Sequence, residues 1–267
     1  MNVVLMGTPD FVVPIFDAIA ARHNVIAVFT RAPKPVGRKH VIIKSPVHVW
    51  AESHNIPVYH KPSEYNFSPD MVIVAAYGAI LHDNVLDSAP CVNIHPSLLP
   101  LYRGPSPIRT AIKNGDTESG VCLMQMTNEL DAGDILMCEK FNIDIDDTNE
   151  TVEEKVSKIG AKMIFEYMEN PQKYPPIPQS GKIVYTAKTG VYDEIIDWKK
   201  SPIEIHNLVR ALGAGRTKIN GIDVKILKTK MNNNNLEIIT VQPAGRRPMD
   251  WKSFVNGLHG AEIKYGE

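Results

Sequence analysis

Apolar residues in the first half of the chain fall into short unbroken runs separated by proline, glycine and polar stretches. That is the pattern of buried strands alternating with helices. Val3 to Met6, closed by Gly7, reads as a strand covered on both faces, and Thr8-Pro9 turns the chain into a helix over Pro14 to Ala21. With a second strand over Asn24 to Thr30, the chain opens βαβ, the unit of a parallel sheet. Ser45-Pro46 starts a helix to about His54, with serine as N-cap and proline at the first helical position. Pro57 to His60 is a short extended piece, and Met71 to Ala76 is a strand apolar on both faces.

A further apolar run, from Cys91, ends on Asn93 and His95, which share one face if the run is a strand. A proline-bracketed loop follows; Ser106-Pro107 then opens a helix that Gly115 stops near Asn114, and Val121 to Met126 is the next strand. Asp147 to Glu150 has the character of a capping box, and Val152, Val156, Ile159, Met163 and Met168 repeat at helical spacing as far as Asn170. Asn170 to Gly181, with four prolines, reads as a stiff linker. Beyond it Ser201-Pro202 caps a helix to about Leu212, and Lys218 to Lys228 and Leu236 to Val241 read as two strands either side of the Asn232 to Asn235 tract. The pattern divides the chain into an α/β domain over 1–183 and a small appended domain over 184–267.

Composition sharpens this little: 267 residues, 43% hydrophobic and 22% charged, can bury a full core. Charge is more informative, because the net −1 of the whole conceals −5 before about residue 183 and +4 after it. That asymmetry permits an anionic partner on the C-terminal side. Cys91, Cys122 and Cys138 are odd in number, lie in apolar runs and show no CxxC spacing, so they read as buried free thiols of a reducing compartment. The start lacks a signal-peptide pattern and no apolar run reaches the ~18 residues of a membrane span. A cytoplasmic protein is expected.

Candidate chemistry concentrates in a few places. Asn93 and His95 stand at a strand tip beside rigid loop backbone. Asp131 and Asp134 bracket Gly133 in a turn between apolar segments, which alone is ordinary turn chemistry. Tyr77 to Leu81 begins where an open α/β sheet places ligands, at the carboxyl end of a strand. Arg31 to Lys44 carries five cations and no acid, and Pro33, Pro35 and Gly37 are expected to keep its first half out of regular structure. Such a loop is either a solvated surface or a phosphate contact. There is no GxGxxG, no GxxxxGK[ST] and no G-x-S-x-G, and His95 lacks HExxH or CxxC partners, so neither zinc nor a serine triad is expected.

Asn93-Ile-His95, Ser97-Leu98-Leu99-Pro100, Arg103-Gly104 and Leu130-Asp131-x-Gly133-Asp134 resemble the signature of the 10-formyltetrahydrofolate-dependent formyltransferases. The opening Gly7-Thr8-Pro9-Asp10-Phe11, Ser45-Pro46, Ala76-Tyr77-Gly78, Ile196-Asp197-Trp198 and Gln242 to Gly245 more particularly resemble the methionyl-tRNA formyltransferase family, over nearly the whole chain. The resemblance implies a Rossmann-like, mostly parallel sheet followed by an OB-like C-terminal domain, here truncated. Material around the asparagine tract is missing, and Gly213-Ala214-Gly215 replaces a turn that bears proline and tryptophan in relatives.

The implied reaction moves a formyl group from 10-formyltetrahydrofolate to the amine of initiator methionyl-tRNA, in a monomer without metal. Asn93, His95 and Asp131 would then be catalytic. Asn93 would donate to the developing oxyanion, His95 would donate to it or carry a proton, and Asp131 would orient His95 and accept a proton. Ser97, Leu98, Leu99 and Pro100 would lie against the tetrahydrofolate, with Tyr77, Ile80, Leu81 and Leu130 walling its ring. Gly7, Thr8 and Phe11 would border the aminoacyl group, and Lys34, Arg38, Lys39 and Lys44 would meet the tRNA. A sugar-nucleotide N-formyltransferase and a 10-formyltetrahydrofolate hydrolase, in which water replaces the amine, are the alternatives.

Overall fold

A computed structural model describes residues 1–37 and 40–266. Its strands and helices, in chain order, are β1 (Asn2–Gly7), α1 (Val13–Ala20), β2 (Asn24–Phe29), β3 (Lys34–Val36), β4 (Val41–Ile43), α2 (Pro46–Ser53), β5 (Val58–Tyr59), β6 (Met71–Ala75), α3 (Asp83–Leu86) and β7 (Cys91–His95). They continue with α4 (Pro107–Asn114), β8 (Glu118–Gln125), β9 (Ile135–Asn142), α5 (Asn149–Glu169), α6 (Pro202–Leu212), β10 (Gly215–Ile219), β11 (Ile222–Asn232), β12 (Asn235–Pro243), β13 (Met249–Asp250) and α7 (Trp251–Asn256). The chain forms two compact units. The first comprises Met1–Pro105, Gly120–Phe141 and Glu153–Tyr185; the second comprises Ser106–Ser119, Asn142–Val152 and the chain from Thr186 onward.

The first unit is built on a sheet of strand order β5-β2-β1-β6-β7-β8-β9. The first five run parallel and β8 runs antiparallel to β7, which makes the sheet Rossmann-like and mostly parallel. Every residue of β6 and of β7 is buried, which is why their sequences do not alternate. Phe16, Phe29, Leu5 and Met6 are fully buried, and each contributes ~1.5–3 kcal/mol by leaving water. Gly7 permits this packing, because a Cβ there would lie 2.8 Å from both the Ala75 carbonyl oxygen and the Phe16 ring. Ser45 caps α2 by accepting from the His48 amide at 3.1 Å, a contribution of about 1 kcal/mol.

Three expectations change here. The first half of the basic loop is regular: Lys34, Pro35 and Val36 pair antiparallel with Ile43, Ile42 and Val41. A two-stranded ribbon leaves each strand with an open edge, and proline is tolerated on such an edge. Cys122 and Cys138 are not free thiols: a disulfide joins them across β8 and β9 with their Cα atoms 4.1 Å apart, while Cys91 is free and buried. The proline-rich segment is no simple linker, since Ile177 exchanges two backbone hydrogen bonds with Ile135 at the start of β9.

The second unit carries a four-stranded antiparallel sheet, β10-β11-β12-β13, with α6 and α7. The run read as one strand from Lys218 is two, folded at Asn220-Gly221, both with positive φ as a tight hairpin requires. Asn233 and Asn234 make the second such turn, so the asparagine tract is a hairpin loop. Ile205, Val209, Ile219, Val224, Ile226, Val241 and Phe254 form its core. Buried Arg210 on α6 ties in the 142–152 segment by donating to the carbonyls of Asp144 (3.2 Å) and Asp147 (2.8 Å). His206 does the same through Nε2 to the Ile145 carbonyl at 3.0 Å.

Candidate active site

β7 ends by presenting Asn93 and His95, opposite Met124 and Cys122 of β8. Both are buried, with 8% and 4% of their surface exposed. The loop that follows returns at once beneath the strand end. The Ser97 hydroxyl donates to the Leu101 carbonyl at 2.6 Å, Leu99-Pro100 is cis, and Tyr102 and Gly104 take positive φ of 61° and 110°. That path aims the Tyr102 carbonyl at His95 Nε2, 3.0 Å away. A carbonyl only accepts, so Nε2 carries a proton, and in the neutral ring Nδ1 holds the lone pair. Burial pushes the His95 pKa below its ordinary value; neighbouring Asp131 and the Tyr102 carbonyl oppose that shift, and Arg103 adds to it.

Asp131 comes from the loop between β8 and β9. Its Oδ2 lies 3.7 Å from His95 Nδ1 and accepts from the Gly104 amide at 2.7 Å, while Oδ1 accepts from Asn93 Nδ2 at 3.4 Å. One carboxylate thus faces the amide, the imidazole and a backbone N–H. Asp131 holds a φ of 48°, a region that aspartate tolerates better than most residues. Gly133, two residues on, passes so close to β8 that an added Cβ would lie 2.9 Å from the Gln125 carbonyl carbon and nearer still to its oxygen.

The three residues singled out as catalytic are therefore brought together. The others are placed unevenly. Ser97 is a loop fastener; Leu99 is buried against Cys122 and Met124, Pro100 is buried beside it, and Leu98 is half-buried. Tyr77 and Leu81 are buried in the cluster under β6, whereas Ile80 and Leu130 are 74% and 57% exposed. The Tyr77 hydroxyl is buried without a hydrogen-bond partner among the described residues, and burial raises its pKa to about 12. Thr8 donates to the Tyr77 carbonyl at 3.2 Å, Gly7 is buried, and Phe11 is half-buried. Lys34 is exposed, but Lys44 is engaged with Glu52 at 2.6 and 2.7 Å; Arg38 and Lys39 lie outside the described residues.

Two groups escaped notice in the sequence as parts of this site. The Tyr102 carbonyl is a backbone atom and leaves no side-chain signal. Gln179 sits among prolines, and only its contacts with Arg103 and the Asp131 loop reveal it. Among the described residues no cluster of three or more His, Cys, Asp or Glu is arranged to hold a metal ion, and no helix is long and apolar enough to cross a membrane.

A buried amide, a buried imidazole and a half-buried carboxylate thus meet at the carboxyl end of the parallel strand β7. Residues 1–168 match the formyl transferase family and residues 189–235 match the formyl transferase C-terminal domain, so the chain belongs to the formyl transferase family. Within it the chain groups with the methionyl-tRNA formyltransferases. It is 34% identical to the enzyme of that name from Cereibacter sphaeroides, over 97% of this chain and 96% of the relative. Against that from Ehrlichia chaffeensis it is 40% identical over 79% of this chain and 74% of the relative.

The Cereibacter alignment runs to 291 residues against a chain of 267, so the relative carries insertions that this chain lacks. In fold the chain is similar to a sugar 3-N-formyltransferase solved with dTDP and 5-formyltetrahydrofolate, with a TM-score of 0.72, 22% identity and coverage of 92% and 99% of the two chains. It is also similar to the methionyl-tRNA formyltransferase from Clostridium thermocellum, with a TM-score of 0.67, 16% identity and coverage of 91% and 98%.

Proposed function

We propose that this protein moves the formyl group of 10-formyltetrahydrofolate to the α-amino group of methionyl-initiator tRNA, in the cytoplasm, as a monomer without a metal. The observation that carries the chemistry is the Asn93–His95–Asp131 set, with Asn93 and His95 buried and the half-buried Asp131 carboxylate facing both. Attack of the amine nitrogen on the formyl carbon forms one C–N bond and develops negative charge on the formyl oxygen. Breaking the bond to the folate nitrogen completes the transfer, and one proton passes from the amine to that nitrogen. An amide carries two N–H groups; the one held by Asp131 Oδ1 fixes the direction of the other, which serves the oxyanion. His95 takes the proton at Nδ1, since Nε2–H is committed to the Tyr102 carbonyl. Asp131 stabilises the imidazolium and helps return the proton.

The residues present fit a folate. Exposed Ile80 and Leu130 offer apolar surface for a ring, and the Tyr77 hydroxyl, without a hydrogen-bond partner among the described residues, offers a polar edge. Leu81 backs that wall, and Ser97, Leu98, Leu99 and Pro100 bound it. Gly7, Thr8 and Phe11 border the methionyl group, Phe11 offering a ring to the thioether. Lys34, Arg38, Lys39 and Lys44 meet acceptor-stem phosphates, 1–183 carries the transfer chemistry, and 184–267 faces the tRNA with its net positive charge. The test supplies formyl donor with charged initiator tRNA, with an amino-sugar nucleotide, and with no acceptor. Formyl-methionyl-tRNA is expected; turnover confined to the sugar nucleotide, or donor loss without acceptor, overturns the reading.

A further inference from the structure

We infer that Gln179 is a positioning residue for formyl transfer, holding the Asp131 carboxylate opposite His95 while buried Arg103 holds Gln179 itself; this rests on the reading just given. Gln179 is half-buried within an exposed stretch, Ile177, Pro178 and Ser180 all facing solvent. Its neighbours are stitched to the two loops that make the site. Ile177 pairs with Ile135, just after the Asp131 loop, and Val184 accepts from the Arg103 amide at 2.9 Å in the loop that carries Tyr102. Gln179 therefore stands between the support of His95 and the support of Asp131.

The amide's orientation follows from donor chemistry. Arg103 Nε and Nη2 lie 3.1 and 2.7 Å from Oε1, and a guanidinium only donates, so Oε1 must be the atom that faces it. Nε2 then faces the loop and donates to the carbonyls of Asp131 (2.9 Å) and Gly133 (2.8 Å). Both of its protons and its oxygen are used. Two carbonyls two residues apart are drawn to one nitrogen, which stabilises the loop in the left-handed turn that Asp131 adopts. The backbone so fixed is that of the residue whose carboxylate faces His95 Nδ1. No other residue type supplies both an acceptor for Arg103 and two donors for the loop at this length. Asparagine is too short, and glutamate keeps only the Arg103 contact.

The experiment compares the parent with Gln179→Ala and Gln179→Glu, each alone and with Asp131→Ala. A carboxylate displaced by roughly 1 Å costs up to about 100-fold in rate, so each single variant is expected to lose about 10–100-fold in kcat with both KM values within about twofold. In the Asp131→Ala background neither change lowers kcat further, because nothing remains to position. Independently of turnover, the His95 ring followed by NMR should titrate at lower pH in Gln179→Ala than in the parent, since the retreating carboxylate no longer favours the imidazolium. Gln179→Glu retains the Arg103 partner, so it supplies the rate data if Gln179→Ala does not fold.

Parental kcat and parental His95 titration in Gln179→Ala, or losses that multiply with that of Asp131→Ala, overturn the inference. A parent that formylates no acceptor overturns the functional reading instead, and the His95 titration still decides the role of Gln179.

Discussion

Replacing Gly133 by alanine adds one methyl group at the tightest point of the Asp131 loop. The new Cβ would sit 2.9 Å from the Gln125 carbonyl carbon and closer to its oxygen, where real Cβ atoms are not found. The obstacle is backbone of β8, itself fixed by the Gln125 amide donating to the Asp134 carbonyl at 2.9 Å, so the strand cannot give way cheaply. The loop must shift instead, by roughly 1 Å, and Asp131 moves with it. The pair at risk is His95 Nδ1 and Asp131 Oδ2, already 3.7 Å apart. A misplacement of that size costs about 100-fold in kcat, while overpacking costs ~1–3 kcal/mol of stability. Single-turnover formyl transfer with saturating donor and acceptor reads the first quantity, and a urea transition reads the second. A Gly133→Ala enzyme within about threefold of the parent in kcat would refute the view that this loop sets the catalytic geometry.

Three further outcomes are expected. Burial holds the folded-state pKa of His95 below the unfolded value near 6.5, so below that pH the unfolded chain binds a proton that the folded site refuses. Stability should be flat above pH ~6.5 and fall below it by at most about 1.4 kcal/mol per pH unit for this group. His206, shifted the same way by burial, contributes in the same sense, so the difference between parent and His95→Gln isolates His95. An acid fall in stability that His95→Gln leaves unchanged contradicts this. Removal of Lys34 should weaken tRNA binding and make its salt slope shallower by about 0.7–0.9 for each phosphate the lysine neutralises. Lys44→Ala, whose ammonium is engaged with Glu52, should do less; equal salt slopes for both variants count against that ranking. Arg210→Ala removes the guanidinium donor from the carbonyls of Asp144 and Asp147 and should cost ~1–3 kcal/mol in the second unit, read by tryptophan fluorescence during urea unfolding. An unshifted midpoint would show that water replaces the guanidinium freely.

Local features of the fold were legible and long-range ones less so. The caps at Ser45 and Ser201 and the stop at Gly115 depend on a few consecutive residues, and the unbroken apolar runs of β6 and β7 report burial on both faces. Ribbon pairing of β3 with β4 was hidden because prolines that forbid a central strand do not forbid an edge. The Cys122–Cys138 bond was hidden because a separation of 16 becomes a contact only once β8 and β9 lie side by side. Asn93 and His95 announced each other by their spacing. Asp131 alone read as turn chemistry, and the family signature rather than its local pattern marked it. Gln179 carries no pattern at all, because its role depends on backbone carbonyls that any residue would have supplied.

The return of residues 177–185 to the first unit bears on how such a chain can be divided. The formyl transferase match ends at Met168, after Asn93, His95 and Asp131 but before Ile177, Gln179 and Val184. A gene fragment cut at that border would encode every reacting side chain and none of the later backbone stitching that sets their separation. The first unit therefore closes only at Tyr185, well past the border of the family match.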